Sequence, residues 1–279
     1  MDKMIDNYNP RTNGDIKQKN ISKFTSIMVS VLMIVSLIFC SLAFVTSKTY
    51  FTATVEGASM FPTINATQKQ TNVNDIAYYT TIRPAQKGDI IIVDYSSAGE
   101  NIDAIKRLIA KGGDTICYYN NHILVNGEPL AEEYLENDYQ KLTDNPELLT
   151  NSGFSSADDW KEKGFNKSKT NFEKWCGILL DPLLTEDLKD AKLRDTTFFK
   201  NYSTTYAGSV RFDETIDSYV LTVPDGFVYF LGDNRANSTD SSIIGPLETK
   251  YMLARVSFIT SGNATVWSNF ANQVKYLFV

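Results

Sequence analysis

The chain has 279 residues, 43% hydrophobic and 22% charged, with a net charge of −6. That suffices for a packed core with an appendage, whereas the acidic balance, with Lys and Arg interleaved among Asp and Glu, excludes the clustered basic face that nucleic acid requires. One histidine and three dispersed cysteines leave too few ligands for a zinc site, and no phosphate- or dinucleotide-binding glycine motif is present, so no metal and no cofactor is expected.

Residues 1–23 form a polar tail rich in Asn and Lys, expected to be poorly ordered. Residues 24–46, from Phe24 to Thr46, are 23 residues without a charge. At about 1.5 Å per helical residue they span roughly 35 Å, enough to cross a hydrocarbon core. Lys17, Lys19 and Lys23 precede this run and only Lys48 follows closely, so the positive-inside rule puts the N-terminus in the cytoplasm and the rest outside. A cleaved signal peptide has a shorter apolar region, about 7–15 residues. A lipid-modified cysteine needs a small preceding residue, and Phe39 precedes Cys40. Tyr50 and Phe51 read as interfacial aromatics.

From 47 to 135 the texture is that of strands. Lys87-Gly88-Asp89 turns into the apolar run Ile90–Val93, and Ile102–Ala110 is a second strand. Ile116–Tyr119 and Ile123–Val125 form a hairpin around Asn120-Asn121-His122, followed by a tight turn at Asn126-Gly127. Residues 136–217 are polar and acidic and read as a partly helical inserted subdomain. Within it Ser156-Ala157-Asp158-Asp159 opens a short helix that Gly164 ends, Thr170 to Glu173 has capping-box spacing for a second, and Thr185 caps a third. Strands resume over 218–279 at Tyr219–Val223 and Phe227–Leu231. The fold class is therefore mainly β, with one N-terminal transmembrane helix. Cys117 and Cys176 could pair on an oxidising side of a membrane, but nothing in the sequence fixes their geometry.

Three segments carry potential chemistry. The first is Glu56-Gly57-Ala58-Ser59-Met60-Phe61-Pro62-Thr63, shortly after the apolar run. A serine hydroxyl attacks a carbonyl only when a base takes its proton. The second, Asp103 to Ala110, holds Lys106 and Arg107 in an apolar strand. Alternation puts Lys106 on one face with Ala104 and Leu108, and Arg107 on the other with Ile105 and Ile109. An apolar face disfavours the ammonium, so Lys106 can act as a base, which a guanidinium cannot. The third is the polar stretch Gly232 to Ser242, which follows an apolar strand. Each also has a plainer reading: a turn serine before Pro62, a snorkelling edge lysine, and a solvated loop. A Ser–His–Asp triad would have to use His122 at a hairpin turn, and Pro62 occupies the lysine position of an S-x-x-K motif.

Taken in order, the segments resemble the bacterial type I signal peptidases, membrane-anchored Ser–Lys endopeptidases that remove signal peptides from exported preproteins. The likeness rests on Gly57-Ala58-Ser59-Met60-Phe61-Pro62-Thr63, Lys87-Gly88-Asp89-Ile90-Ile91, Lys106 through Asp114, and Gly232 through Ser241. It implies a signal-peptidase-like β-sheet catalytic core, with Ser59 as nucleophile and Lys106 as general base. Ser238 would hydrogen-bond the lysine amine, Asp233 and Arg107 would pair, and Asp240 and Arg235 would shape the wall. Gly57 stands where some members carry an oxyanion-hole serine, so backbone donors must serve there. Met60 and Pro62 would contact substrate. The partners implied are preprotein signal peptides, membrane lipid and a nearby secretion translocase, with the catalytic domain outside the cytoplasmic membrane. Two alternatives stay open: a processing protease dedicated to pilins or other surface proteins, and a non-catalytic anchored binding protein on the same fold. Asp240-Ser241-Ser242 departs from the family's Asp-Ser-Arg, which removes the usual partner expected for Asp240.

Overall fold

Helix α1 (Pro10–Thr49) starts earlier than the polarity of the tail suggests, with a proline at its first position, where the fixed φ suits helix entry. Its stretch Lys23–Thr49 is long and apolar enough to cross a membrane. The large side chains there, such as Leu32, Met33 and Leu37, are more than half exposed, as lipid-facing residues would be. The computed structural model describes residues 10–96, 100–150, 152–180, 206 and 208–278, and side chains from residue 23 onward.

Two antiparallel sheets follow. The larger contains β1 (Phe51–Thr54), β2 (Asp75–Thr80), β3 (Ile90–Asp94) and β4 (Asp103–Lys111). The smaller begins with β5 (Thr115–Tyr119), β6 (His122–Val125) and β7 (Glu128–Pro129) and is completed by β8 (Val210–Asp213) and β9 (Ser218–Thr222). The chain then returns to the larger sheet as β10 (Phe227–Leu231), β11 (Leu247–Glu248) and β12 (Met252–Ser261). The orders are β1-β2-β12-β3-β4-β10-β11 and β7-β6-β5-β9-β8. Left-handed Asn120 and Asn121 close one tight hairpin and Asn126-Gly127 the next, the backbone signs such turns need.

Among the described residues five α-helices accompany the sheets: α2 (Gln68–Thr71), α3 (Glu133–Asp144), α4 (Ala157–Leu180), α5 (Ser241–Ile244) and α6 (Val266–Leu277). Within the segment read as an insert, α4 packs against both sheets. Phe172, Trp175 and Cys176 of α4 share one apolar cluster with Ile109, Tyr118, Tyr229 and Leu231 of both sheets. Helix α4 also runs unbroken through Gly164. A Cβ there would lie 3.1 Å from the Arg235 Cβ, so this glycine lets the helix approach the 232–242 loop rather than ending it. Thr185 lies outside the described residues. Cys117 and Cys176 are both buried and free, so no disulfide joins them. Tyr50, expected among interfacial aromatics, is buried, its ring edge-on against Phe258.

Candidate active site

Ser59 sits in a loop between β1 and α2. Gly57 turns the chain there with φ of 80°, a conformation that strains any residue bearing a Cβ. The Asn65 side chain holds the turn by donating to the carbonyls of Val55 and Gly57, at 2.8 and 3.2 Å. The loop after β10 grips it from the other side. The Asn234 amide donates to the Ser59 carbonyl at 3.0 Å, and its Nδ2 to the Ala58 carbonyl at 2.9 Å.

Lys106 reaches this loop from β4. Its Nζ lies 2.9 Å from Ser59 Oγ and 3.0 Å from the carbonyl of Ile105. Ala104 and Leu108 pack in the cluster that contains Tyr95, and the Lys106 amine lies 5.9 Å from the Tyr95 ring centre, as strand alternation requires. The lysine is only 3% exposed. Burial lowers its pKa to about 8, against the opposing pull of Asp240 and Asp233.

The remaining expected residues surround this contact. Arg107 Nε and Nη2 donate to the two Asp233 oxygens at 2.8 and 2.5 Å, a bidentate buried pair. Its Nη1 donates to the Gly88 carbonyl at 2.7 Å, and the guanidinium lies 3.7 Å from the Tyr134 ring centre. Arg235 is buried, donates to the Gly232 carbonyl at 3.0 Å and pairs with Glu132.

Three positions differ from expectation. Asp240 is not left without a partner: one carboxylate oxygen accepts from the Ser242 hydroxyl at 2.8 Å and its amide at 3.1 Å, and the other from the Gly232 amide at 2.9 Å. It thereby caps α5, and the serine at 242 supplies the donor. Ser238 lines the same cleft as Ser59 and Lys106, but its hydroxyl is buried without a hydrogen-bond partner and does not hold the lysine amine. It is wedged over Gly232 instead, where an added Cβ would lie 2.3 Å from Ser238 Oγ. Pro62 does not line the cleft, and its carbonyl accepts from Lys141 Nζ at 2.9 Å, whereas Met60 does line it.

The cleft has a volume of about 710 Å³ and apolar walls that include Val55, Ile92, Ile102 and Leu253. Among the described residues no group of three metal-ligating side chains occurs. Glu132, Tyr134, Thr63 and Asp138 join the site without having been expected. Thr63 closes the serine segment, whose pattern assigns it no role, and no local pattern marks the other three, whose partners in the site are distant in sequence.

Fold and site together define a mainly β protein with a serine–lysine contact, its lysine buried, in a cleft of mixed polar and apolar walls, joined to a helix of membrane-spanning length. Residues 24–261 match the family described as signal peptidase, peptidase S26, and the chain belongs to that family. It is 27% identical over 204 residues to a signal peptidase I of Streptococcus pneumoniae serotype 4, covering 73% of this chain and 78% of that protein. It is 35% identical over 204 residues to one of Bacillus caldolyticus, covering 73% and 75%. A solved signal peptidase I from Enterococcus faecalis V583 overlaps 63% of this chain and 99% of that one, with 21% identity and a TM-score of 0.32.

Proposed function

We propose that this protein is a serine endopeptidase that removes N-terminal signal peptides from exported preproteins at the outer face of the cytoplasmic membrane. The observation that carries the reading is the 2.9 Å contact between Lys106 Nζ, desolvated by burial, and Ser59 Oγ, which lines the cleft. Neutral Lys106 accepts the hydroxyl proton as Ser59 Oγ attacks the scissile carbonyl, then returns that proton to the leaving amine. Water, deprotonated by the same amine, releases the acyl group. The backbone amide of Ser59 serves the oxyanion, since Gly57 offers no side chain.

The cleft also suits an extended substrate. β10 pairs with β4 from Arg107 to Lys111, while Asp103, Ala104 and Ile105 line the cleft with that strand edge open. A preprotein segment added there as a strand presents alternate side chains to the apolar wall.

The test is cleavage of a preprotein by the full chain in detergent, read by mass spectrometry. Ser59→Ala and Lys106→Ala should each abolish cleavage; activity retained by either variant removes the dyad.

A further inference from the structure

Thr63, four residues after Ser59, makes two short contacts that its one proton cannot satisfy. Its Oγ1 lies 2.5 Å from Asp138 Oδ2 and 2.6 Å from Asp233 Oδ2. Asp138 belongs to α3 and is 6% exposed; Asp233 is 1% exposed. A hydroxyl carries one proton and a carboxylate none, so a row of carboxylate, hydroxyl and carboxylate has a single proton for two contacts. With both acids ionised, one contact sets two buried oxygen acceptors against each other, which is repulsive. A second proton removes the conflict. It does not belong on Asp233, whose two oxygens already accept from Arg107. It belongs on Asp138.

We infer that Asp138 is a positioning residue for the nucleophile loop: its protonated carboxyl donates to Thr63, and Thr63 donates to Asp233. Helix α3 is thereby tied to the Ser59 loop and, through Asp233, to the strand that carries Lys106. Neighbouring contacts run the same way. Lys141, on the same helix, donates to the Pro62 carbonyl at 2.9 Å, and Phe61 packs with Leu142, Leu148 and Trp160. The charged groups acting on Asp138 are Asp233, which opposes its ionisation, and Lys141 and Arg107, which favour it. Burial is the largest influence and carries its pKa up to about 6.

The inference assigns work to the segment between β7 and β8 and rests on Ser59 being the nucleophile. The proton itself can be tested without activity. In the full chain in detergent, Asp138→Asn keeps a donor toward Thr63 that does not titrate. The difference between its thermal midpoint and that of the unaltered protein should grow in the variant's favour from about pH 4 to about pH 6 and level off above, because the unfolded chain gives up the aspartate proton near 4 and the folded one near 6. A protonated-carboxyl infrared band present at pH 5 should disappear in this variant. Asp138→Ala should lower kcat on the order of tenfold with little change in KM, while Asp138→Asn stays within about threefold. A thermal-midpoint difference that is flat with pH, or no such band in the unaltered protein, overturns the inference. Were Ser59→Ala to stay active while the midpoints diverged as described, the shared proton would stand and the nucleophile assignment would fall.

Discussion

In the proposed mechanism, Lys106 is the residue whose protonation the chemistry depends on. Its amine must be neutral to accept a proton, and burial holds its pKa near 8, so kcat/KM should rise with pH through that value and level off above it. At pH 7 cleavage should be about tenfold below the plateau. A rate profile flat between pH 6 and 9 would show that the amine does not titrate in the step measured. Folding stability carries the opposite sign from the usual lysine. A pKa lowered on folding means that the unfolded chain binds the proton more tightly, so this contribution improves as pH rises through 8 toward the ordinary lysine range. Ser242 makes a second residue-scale case. Its hydroxyl and amide both donate to Asp240, which in turn accepts from Gly232. Ser242→Ala should cost about 1 kcal/mol of stability and lower activity modestly, whereas Asp240→Ala strands three donors and should cost more. Thermal melts of the two variants would rank them. Serine and lysine were legible from sequence because each sits in a motif whose neighbours limit its role. The donor from Ser242 was not, because a side chain two residues away can cap a helix only where that helix exists.

Among the elements, α4 shows where local signals mislead. Gly164 has the form of a helix stop, and a capping-box spacing follows at Thr170, yet a single helix runs from Ala157 to Leu180. Packing of Phe172 and Trp175 beneath both sheets outweighs the roughly 1 kcal/mol propensity cost of an internal glycine. The steric reason for the glycine is Arg235, which leaves no room for a branched side chain. Gly164→Val should therefore push α4 away from Arg235 and lower the thermal midpoint, although valine is the better helix former. A raised midpoint would contradict the packing account. The strands β3, β4, β5, β6, β9 and β10 were legible, since each is an apolar run closed by a recognisable turn. The strand β12 was missed because Arg255 interrupts its apolar pattern, and that guanidinium is answered by Asp89, whose position no local rule gives.

At the scale of the whole molecule, the apolar helix and the cleft lie on one continuous chain with only a short connection. The Phe39 ring of α1 meets those of Trp267 and Phe270 of α6 at a tilt, with centroids 6.1 and 5.0 Å apart, so the membrane-length helix also touches the C-terminal helix. Expressed in its host, the full chain should stay with membranes through an alkaline carbonate wash. Protease added to intact protoplasts should digest the β-rich part and spare an N-terminal fragment; the reverse pattern would invert the proposed orientation. Sequence arithmetic foresaw the helix, since length and charge flanks are local quantities. It did not foresee its contact with α6, which depends on where residues from the far end of the chain come to rest.

The clamp on the nucleophile loop is made by Asn234, whose side chain is 176 positions from Ala58 along the chain. Its backbone amide takes the next carbonyl, that of Ser59. A polypeptide made only as far as β9 thus lacks the Asn234 contacts that hold the Ser59 loop. On the proposed mechanism, cleavage should therefore appear only in chains that include the residues after β9, about the last fifth of the sequence.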